Sequence, residues 1–266
     1  MHPGSDREAA LAAMFDAGVQ GVHEDGDLLV THLPRSADVE ALITDIARAS
    51  NGAWVEATPL PDVDWTREWK RGIRAHSLGS LIVAPPWLSD RYDPSRTIVI
   101  EPAMAFGTGE HATTRGVLRL LSGVLRRGDR VADVGAGSAV LAIAAVRLGA
   151  ARVAAIELDP DAIGNAEANV ARNGVADRVT VIAGDAMHLL LLVGPVRVVL
   201  ANIVSSVLIA MLPIIRRALT ADGRAILSGM LFTERDEMLT ALSSGGWRVE
   251  AEDREDDWWT VATAST

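Results

Sequence analysis

The chain has 266 residues, 49% of them hydrophobic, and a formal net charge of −10, which suits a folded protein of one large or two modest domains. The acidic balance excludes the basic footprint of a nucleic-acid binder and is compatible with plain solubility or with a basic, lysine-rich protein partner. There is no cysteine, which rules out disulfides and thiolate zinc sites. The histidines His2, His23, His32, His76, His111 and His188 lack metal-ligand spacing, and neither a bilayer-spanning run nor a signal-peptide profile is present, so a cytoplasmic protein is expected.

In chain order, Asp6 to about Ala17 has helical spacing, with Leu11, Met14 and Phe15 on one side. Two short strand-like runs then flank Glu24-Asp25-Gly26-Asp27, where Asp-Gly signals a hairpin. Ser36 is the expected cap of a second helix carrying Val39, Leu42, Ile43 and Ile46. Asn51-Gly52 ends that helix, and AWVEATPL reads as a further strand. These elements make a small α+β domain over residues 1–57. The proline-stiffened Thr58-Pro59-Leu60-Pro61-Asp62 opens a linker and linker helix over 58–74. Trp65 and Trp69 share a helical face there; they fit a staple onto the larger domain, or an indole at the mouth of a site.

SLIVAPPW and RTIVIEP read as two strands that precede the main domain, placed at 75–266. Strands are expected at Arg130–Val134, Val153–Glu157, Val179–Ala183, Val196–Ala201, Arg224–Ser228, Trp247–Ala251 and Trp258–Ala262. Helices are expected at Ala139–Leu148, Ala162–Asn173, Val204–Leu219 and Glu234–Leu242. Such alternation demands an α/β fold with a doubly wound, mostly parallel sheet. Only Glu252–Asp257 separate the last two strands, too few for a crossover helix, so these should pair antiparallel.

Asp133-Val134-Gly135-Ala136-Gly137-Ser138-Ala139 is a strand-to-helix glycine turn, with Gly135 and Gly137 allowing a ligand to approach the backbone. Val140 stands where the dinucleotide fingerprint wants Gly or Ala, which disfavours a nicotinamide enzyme, and no lysine follows to make a P-loop. Asp133 at the strand end belongs instead to the S-adenosylmethionine pattern, acid-x-Gly-x-Gly-x-Gly, with Ala139 replacing the last glycine. Glu157, 22 residues after Gly135, suits a carboxylate that accepts from both ribose hydroxyls. Asp159-Pro160 reads as a helix cap. Asp185, after the third strand, could accept from an adenine amine or be an exposed turn residue. Asn202 ends the fourth strand; its side-chain carbonyl could hold a substrate amine, its alternative being a helix cap. The run Glu101–Thr114, with Phe106, Gly107, three threonines and a helix start, makes an N–H-rich nest suited to a carboxylate. His111 within it is a candidate base, a capping role being the plainer one.

The segments DWTREW, EPAMAFGTGEHATT, DVGAGSAVLAIAAVRLGA, IELDPDAIGNAEANVARNGV, VVLANIV and ILSGML together resemble the ribosomal protein L-eleven lysine methyltransferase family (PrmA type). The resemblance implies a class I methyltransferase fold, a seven-stranded Rossmann-like sheet ending in an antiparallel hairpin, with S-adenosylmethionine as cofactor. It implies that Thr114, Gly135, Glu157 and Asn202 contact the cofactor or the reacting centre. The implied substrate is a ribosomal protein, methylated on lysine amines, with N-terminal amines as a secondary acceptor, and recognised by the N-terminal domain. A monomer without direct nucleic-acid or membrane contact is expected. The alternatives are a same-fold methyltransferase for another protein or small amine, and a non-catalytic cofactor-binding module. Ala112 departs from the family's proline, Ala139 from its glycine and Glu157 from its more common aspartate. The N-terminal domain also leaves no room for the strand that precedes the family's first helix.

Overall fold

In a computed structural model of the chain, the described residues are 1–19, 21–33, 37–58, 73–102, 107 and 109–266. They divide into two compact units, Met1–Glu68 and Trp69–Thr266. The expected linker helix with Trp65 and Trp69 lies outside the described residues, as do Ser36 and Phe106.

In the first unit, helix α1 (Arg7–Asp16) starts at Asp6, whose carboxylate accepts the Ala9 N–H at 3.0 Å. Strands β1 (His23–Asp25) and β2 (Leu28–Val30) form the expected hairpin, with Gly26 at φ +57° in its turn. Helix α2 (Val39–Ala49) is capped by Asp38, which accepts from Ala41, and not by Ser36: the nearer carboxylate takes the cap, and the helix begins directly at Val39. Met14, Val19, Leu29, Leu42 and Ile46 form the core of this unit. Among its described residues, the expected strand AWVEATPL shows one bridge, in which His2 and Trp54 exchange backbone hydrogen bonds of 2.9 and 3.1 Å. The chain turns at Gly4 toward α1, so the ladder has no second pair. That bridge nevertheless puts a strand-like residue before the first helix, where none was expected.

The second unit opens with β3 (His76–Leu78), β4 (Leu81–Ala84) and β5 (Thr97–Val99), a three-stranded sheet with β3–β4 antiparallel and β4–β5 parallel. Strand β4 stops at Ala84 instead of running through Trp87, because Pro86 lacks a ladder N–H and begins the short helix α3 (Pro86–Ser89). Helix α4 (Ala112–Val124) then leads into the main sheet. Its strands are β6 (Arg130–Val134), β7 (Arg152–Glu157), β8 (Val179–Ala183), β9 (Val196–Asn202), β10 (Leu219–Leu231), β11 (Trp247–Glu255) and β12 (Trp258–Ser265), in the order β11-β12-β10-β9-β6-β7-β8. Strand β12 is antiparallel to both its neighbours, as the short connection before it required.

Between the strands run α5 (Val140–Arg147), α6 (Pro160–Arg172), α7 (Ala186–Val193), α8 (Ser205–Ala218) and α9 (Arg235–Ser244). Helix α7 was not anticipated: AMHLLLLV is a continuous apolar run, and periodicity cannot separate such a run from a strand. Side chains from α4, α5 and α6 fill one face of the sheet, and those of α7, α8 and α9 the other. Both faces of the parallel strands are therefore buried, which explains the apolar runs VVLA and AAI.

After β6 the chain steps outward through β7 and β8, then returns to place β9 on the other side of β6. In a doubly wound sheet the carboxyl ends of two such strands splay apart, and that crevice is where ligands bind. Gly135 and Asn202 follow or end those two strands.

Candidate active site

The glycine turn after β6 is built on left-handed backbone. Gly135 and Gly137 have φ of +70° and +52°, and Ala139 has φ +64°. The first of these positions needs glycine. A Cβ on Gly135 would come within 2.5 Å of Ile203 Cγ2, so the residue after Asn202 already fills that space. Ala139 adopts the same conformation with a fully buried methyl; the methyl fits sterically, at a backbone cost of about 1 kcal/mol relative to glycine.

Glu157, at the tip of β7, is bound into this turn. One carboxylate oxygen accepts the Gly137 N–H at 2.6 Å and the other accepts the Asp159 N–H at 2.8 Å. A carboxylate offers about four lone-pair directions, so each oxygen keeps a site for a further donor. The Glu157 carbonyl accepts the Gly184 N–H at 2.8 Å, which ties the turn before Asp185 to the same strand tip. Asp185 itself caps α7, accepting from Met187 at 2.8 Å, with its carboxylate about half exposed beside His188. Asp159 caps α6 as expected.

Asp133 lies wholly buried beneath the turn, with neither carboxylate oxygen hydrogen-bonded. Burial, foremost, and the like charge of Glu157 push its carboxyl up to about 7; the Ala142 N–H of α5 pulls the other way without reaching hydrogen-bond geometry. The motif acid is thus held near the boundary between neutral and charged.

Asn202 ends β9 with its Oδ1 buried and unpartnered. Strand β10 supports it from one side: Ser228 lies opposite Asn202 in the ladder, and its carbonyl accepts the Ile203 N–H at 3.1 Å. Gly229, at φ +87°, lets the Ile203 backbone approach to a distance that any Cβ would block. Ser228 Oγ bonds Thr260 Oγ1 at 2.6 Å and donates to the Thr113 carbonyl at 3.3 Å. This joins the first turn of α4 to the strand pair that carries Asn202. The next residue, Thr114, is fully buried, with its hydroxyl unpartnered.

His111 is the cap of α4, not a poised base: its Nδ1 accepts the Thr113 N–H at 3.4 Å and lies 2.7 Å from the Thr113 hydroxyl. Its ring meets the Trp258 ring edge-on at 4.5 Å. Burial, foremost, and the nearby Arg115 lower its pKa, the direction that suits a capping acceptor.

Two residues passed over in the sequence organise the approach to this site. Ser138 donates its hydroxyl to the Gly107 carbonyl at 2.7 Å, while its own carbonyl accepts from Asn169 Nδ2 at 3.1 Å. Asn169 Oδ1 in turn accepts the Glu101 N–H at 2.9 Å. One turn along α6, Asn173 exchanges both backbone hydrogen bonds with Val99, at 2.9 and 2.7 Å. One turn back, Asn165 donates to the Glu101 carbonyl. Helix α6 thus presents a ladder of amides that replaces a neighbouring strand along the free edge of β5. Glu101 and Gly107 are both tied to Ser138. The signal was present as asparagines at 165, 169 and 173, one helical face, but a helix side chain that mimics a strand has no sequence signature.

Of the expected site residues, the structure joins Gly137 to Glu157 directly, sets Gly135 against the residue after Asn202, bonds Gly107 to the glycine turn, and gathers Thr114 and Asn202 around Ser228. Asp185 stands at the outer end of the same edge. Among the described residues no cluster of metal-ligating side chains occurs.

Residues 11–266 match the family described as Ribosomal protein L11 methyltransferase (PrmA). A ribosomal protein L11 methyltransferase of Thermus thermophilus is 34% identical over 252 residues, covering 95% of this chain and 92% of the relative. One of Geobacter sulfurreducens is 39% identical over 228 residues, covering 84% and 74%. A crystal structure of a ribosomal protein L11 methylase from Lactobacillus delbrueckii subsp. bulgaricus superposes with a TM-score of 0.65 at 28% identity, covering 73% of this chain and 99% of that one. With the glycine turn, the β7 carboxylate, the β9 asparagine and the Gly107–Thr114 approach in one edge of a seven-stranded sheet, the chain belongs to the ribosomal protein L11 methyltransferase family.

Proposed function

We propose that this protein transfers methyl groups from S-adenosylmethionine to lysine side-chain amines, and to an N-terminal amine, of ribosomal protein L11. The observation that carries the proposal is Asn202 Oδ1, a buried acceptor without a partner at the carboxyl end of β9. An orphaned acceptor costs about 1–3 kcal/mol, and an amine N–H would satisfy it.

The residues present fit the cofactor. Glu157 retains an open lone-pair site on each oxygen for the ribose hydroxyls, the left-handed glycine turn admits a ligand against backbone N–H groups, and the Thr114 hydroxyl is a second buried group awaiting a polar partner. Gly107, Gly135, Gly137 and Thr114 are read as lining the cofactor's approach, and Asp185 as serving its adenine end. S-adenosylmethionine supplies, when bound, an electrophilic methyl on a sulfonium. What the chain must contribute is alignment and a neutral nucleophile. Lysine has an unperturbed pKa of about 10.4, so the amine has to shed a proton to water before attack, and desolvation in an apolar crevice favours that loss. The neutral amine donates an N–H to Asn202 Oδ1, which aims its lone pair. With the cofactor bound, an N–CH3 bond would form as the S–CH3 bond breaks, S-adenosylhomocysteine would leave, and the surplus proton on nitrogen would pass to solvent. No side-chain base is required, in keeping with the capping role of His111.

The small N-terminal unit, with 58–74 joining it to the rest, is read as the part that recognises the ribosomal protein. A ribosomal substrate places the reaction in the cytoplasm; no helix among the described residues is long and apolar enough to cross a membrane. The test is methyl transfer from labelled cofactor to the purified L11 protein, read as mass increments of one methylene. Asn202→Ala should lose about 100-fold in turnover while still binding S-adenosylhomocysteine, a loss of about 2.7 kcal/mol. Unlabelled L11 protein in the presence of measurable cofactor binding refutes the substrate. Unchanged turnover in the variant refutes the role of Asn202.

A further inference from the structure

The Trp69–Thr266 unit leaves seven large apolar side chains exposed among its described residues: Leu158, Met187, Leu192, Val204, Val207, Leu231 and Phe232. Four of them, Val204, Val207, Leu231 and Phe232, lie together. One carboxylate holds their two segments side by side: Glu234 Oε2 accepts the Leu231 N–H at 2.6 Å, and Oε1 accepts the hydroxyl of Ser205, the first residue of α8. Val204 precedes that serine, and Val207 lies in the same first turn. Phe232 follows Leu231 and is pinned by its N–H to the Asp257 carbonyl at 2.7 Å, while the Arg254 guanidinium stacks over its ring at 3.7 Å. The patch is therefore ordered, not frayed.

Its position is set by the sheet. Val204 is two residues past Asn202, and Leu231 two past Gly229, whose missing Cβ admits the Ile203 backbone. The patch thus continues directly from the β9 and β10 ends on the side away from Glu157, β7 and β8, which serve the cofactor. Beside its segments in the chain are the exposed carboxylates of Glu237, Asp256 and Asp257. Of the nearby cations, Arg235 is paired with Glu252 at 2.7 Å and with Asp236 at 3.4 Å, and Arg254 covers Phe232. An apolar surface flanked by carboxylates and continuous with an amine-holding asparagine suits one kind of occupant, a segment carrying apolar residues next to a lysine.

We propose that Val204, Val207, Leu231 and Phe232 form the docking surface for the stretch of protein substrate that flanks the acceptor amine, delivering the lysine to Asn202. The inference rests on the proposed function above and assigns to these residues recognition of the substrate, not of the cofactor. These side chains therefore act on the Michaelis constant of the protein substrate and leave cofactor binding alone.

Phe232→Ala and, on the other element, Val207→Ser test this in the full-length chain, with methylation of intact L11 protein followed by label and S-adenosylhomocysteine binding followed by calorimetry. Each variant should raise KM for the L11 protein about 10-fold, worth about 1.4 kcal/mol, with kcat and the cofactor Kd within about twofold of wild type. The retained cofactor Kd also reports that the variant is folded. Unchanged KM in both variants, with an active wild type, overturns the docking surface and leaves the proposed function intact. A rise in the cofactor Kd equal to the rise in KM also overturns it, since the patch would then be serving the crevice as a whole. A wild type that binds S-adenosylhomocysteine but never labels L11 protein removes the proposed substrate, and the docking surface for it falls as well.

Discussion

Replacing Asp133 by asparagine isolates the largest electrostatic strain in the site. Asp133 is fully buried, both its oxygens lack hydrogen bonds, and its carboxyl is raised from 3.8 to about 7 by burial first and then by the Glu157 charge. A carboxyl whose pKa is higher in the folded state holds its proton more tightly there. Its contribution is complete below about pH 4 and is lost as pH climbs through the folded value, with a slope of about 1.4 kcal/mol per pH unit. Over this interval the loss reaches about 4 kcal/mol, an upper value because opening of the structure to water relieves part of it. The amide of Asp133→Asn keeps the size and polarity of the protonated acid and cannot ionise. The variant should match wild type in stability near pH 4, exceed it progressively as pH climbs toward 7, and keep an advantage of up to about 4 kcal/mol above that. Urea unfolding at a series of pH values from about 4 to 8 measures this; with a slope of about 2 kcal/mol/M the midpoints separate by about 2 M at high pH. Taking the difference between variant and wild type at each pH cancels the titration of every other group. Two curves that run parallel across this range would refute the reasoning, showing Asp133 to be as ionised in the folded state as in the unfolded one.

Glu157→Gln exchanges one acceptor oxygen for an amide that faces a backbone N–H, since the two oxygens now accept from Gly137 and Asp159. With charge-assisted hydrogen bonds worth about 1.5–3 kcal/mol, S-adenosylhomocysteine binding measured by calorimetry should weaken by about 10- to 100-fold; an unchanged Kd counts against the ribose assignment. Asn169→Ala strips partners from the Glu101 N–H and the Ser138 carbonyl together. Two orphaned buried groups cost about 2–4 kcal/mol, which a thermal melt should read as a fall of about 5–15 °C; a fall of less than about 2 °C would mean that solvent replaces the amide.

The fold was legible because its strands are short apolar runs separated by capped helices. The periodicity that marks β6 to β10 follows from burying both sheet faces, and the antiparallel ending follows from a gap too short for a helix. The failures are local and have causes. A run as uniformly apolar as Ala186–Val193 has no period to read. Pro86 ended a strand that β-propensity alone would continue. The cap of α2 fell to Asp38, and among the described residues of AWVEATPL only Trp54 forms a bridge, to His2.

The cradle and the family are legible in the residues alone: an acid and glycines at fixed spacing after a strand, a carboxylate one strand later, and the Gly107–Thr114 run beside them, each a short contiguous stretch of chain. Which groups lack partners and which segments meet emerges only once the chain is packed. The raised pKa of Asp133, the orphaned oxygens of Thr114 and Asn202, the asparagine ladder of α6 and the apolar patch joining α8 to the end of β10 are relations between residues far apart in the chain. Burial and hydrogen bonding are properties of the packed neighbourhood, and no local pattern in the chain encodes them.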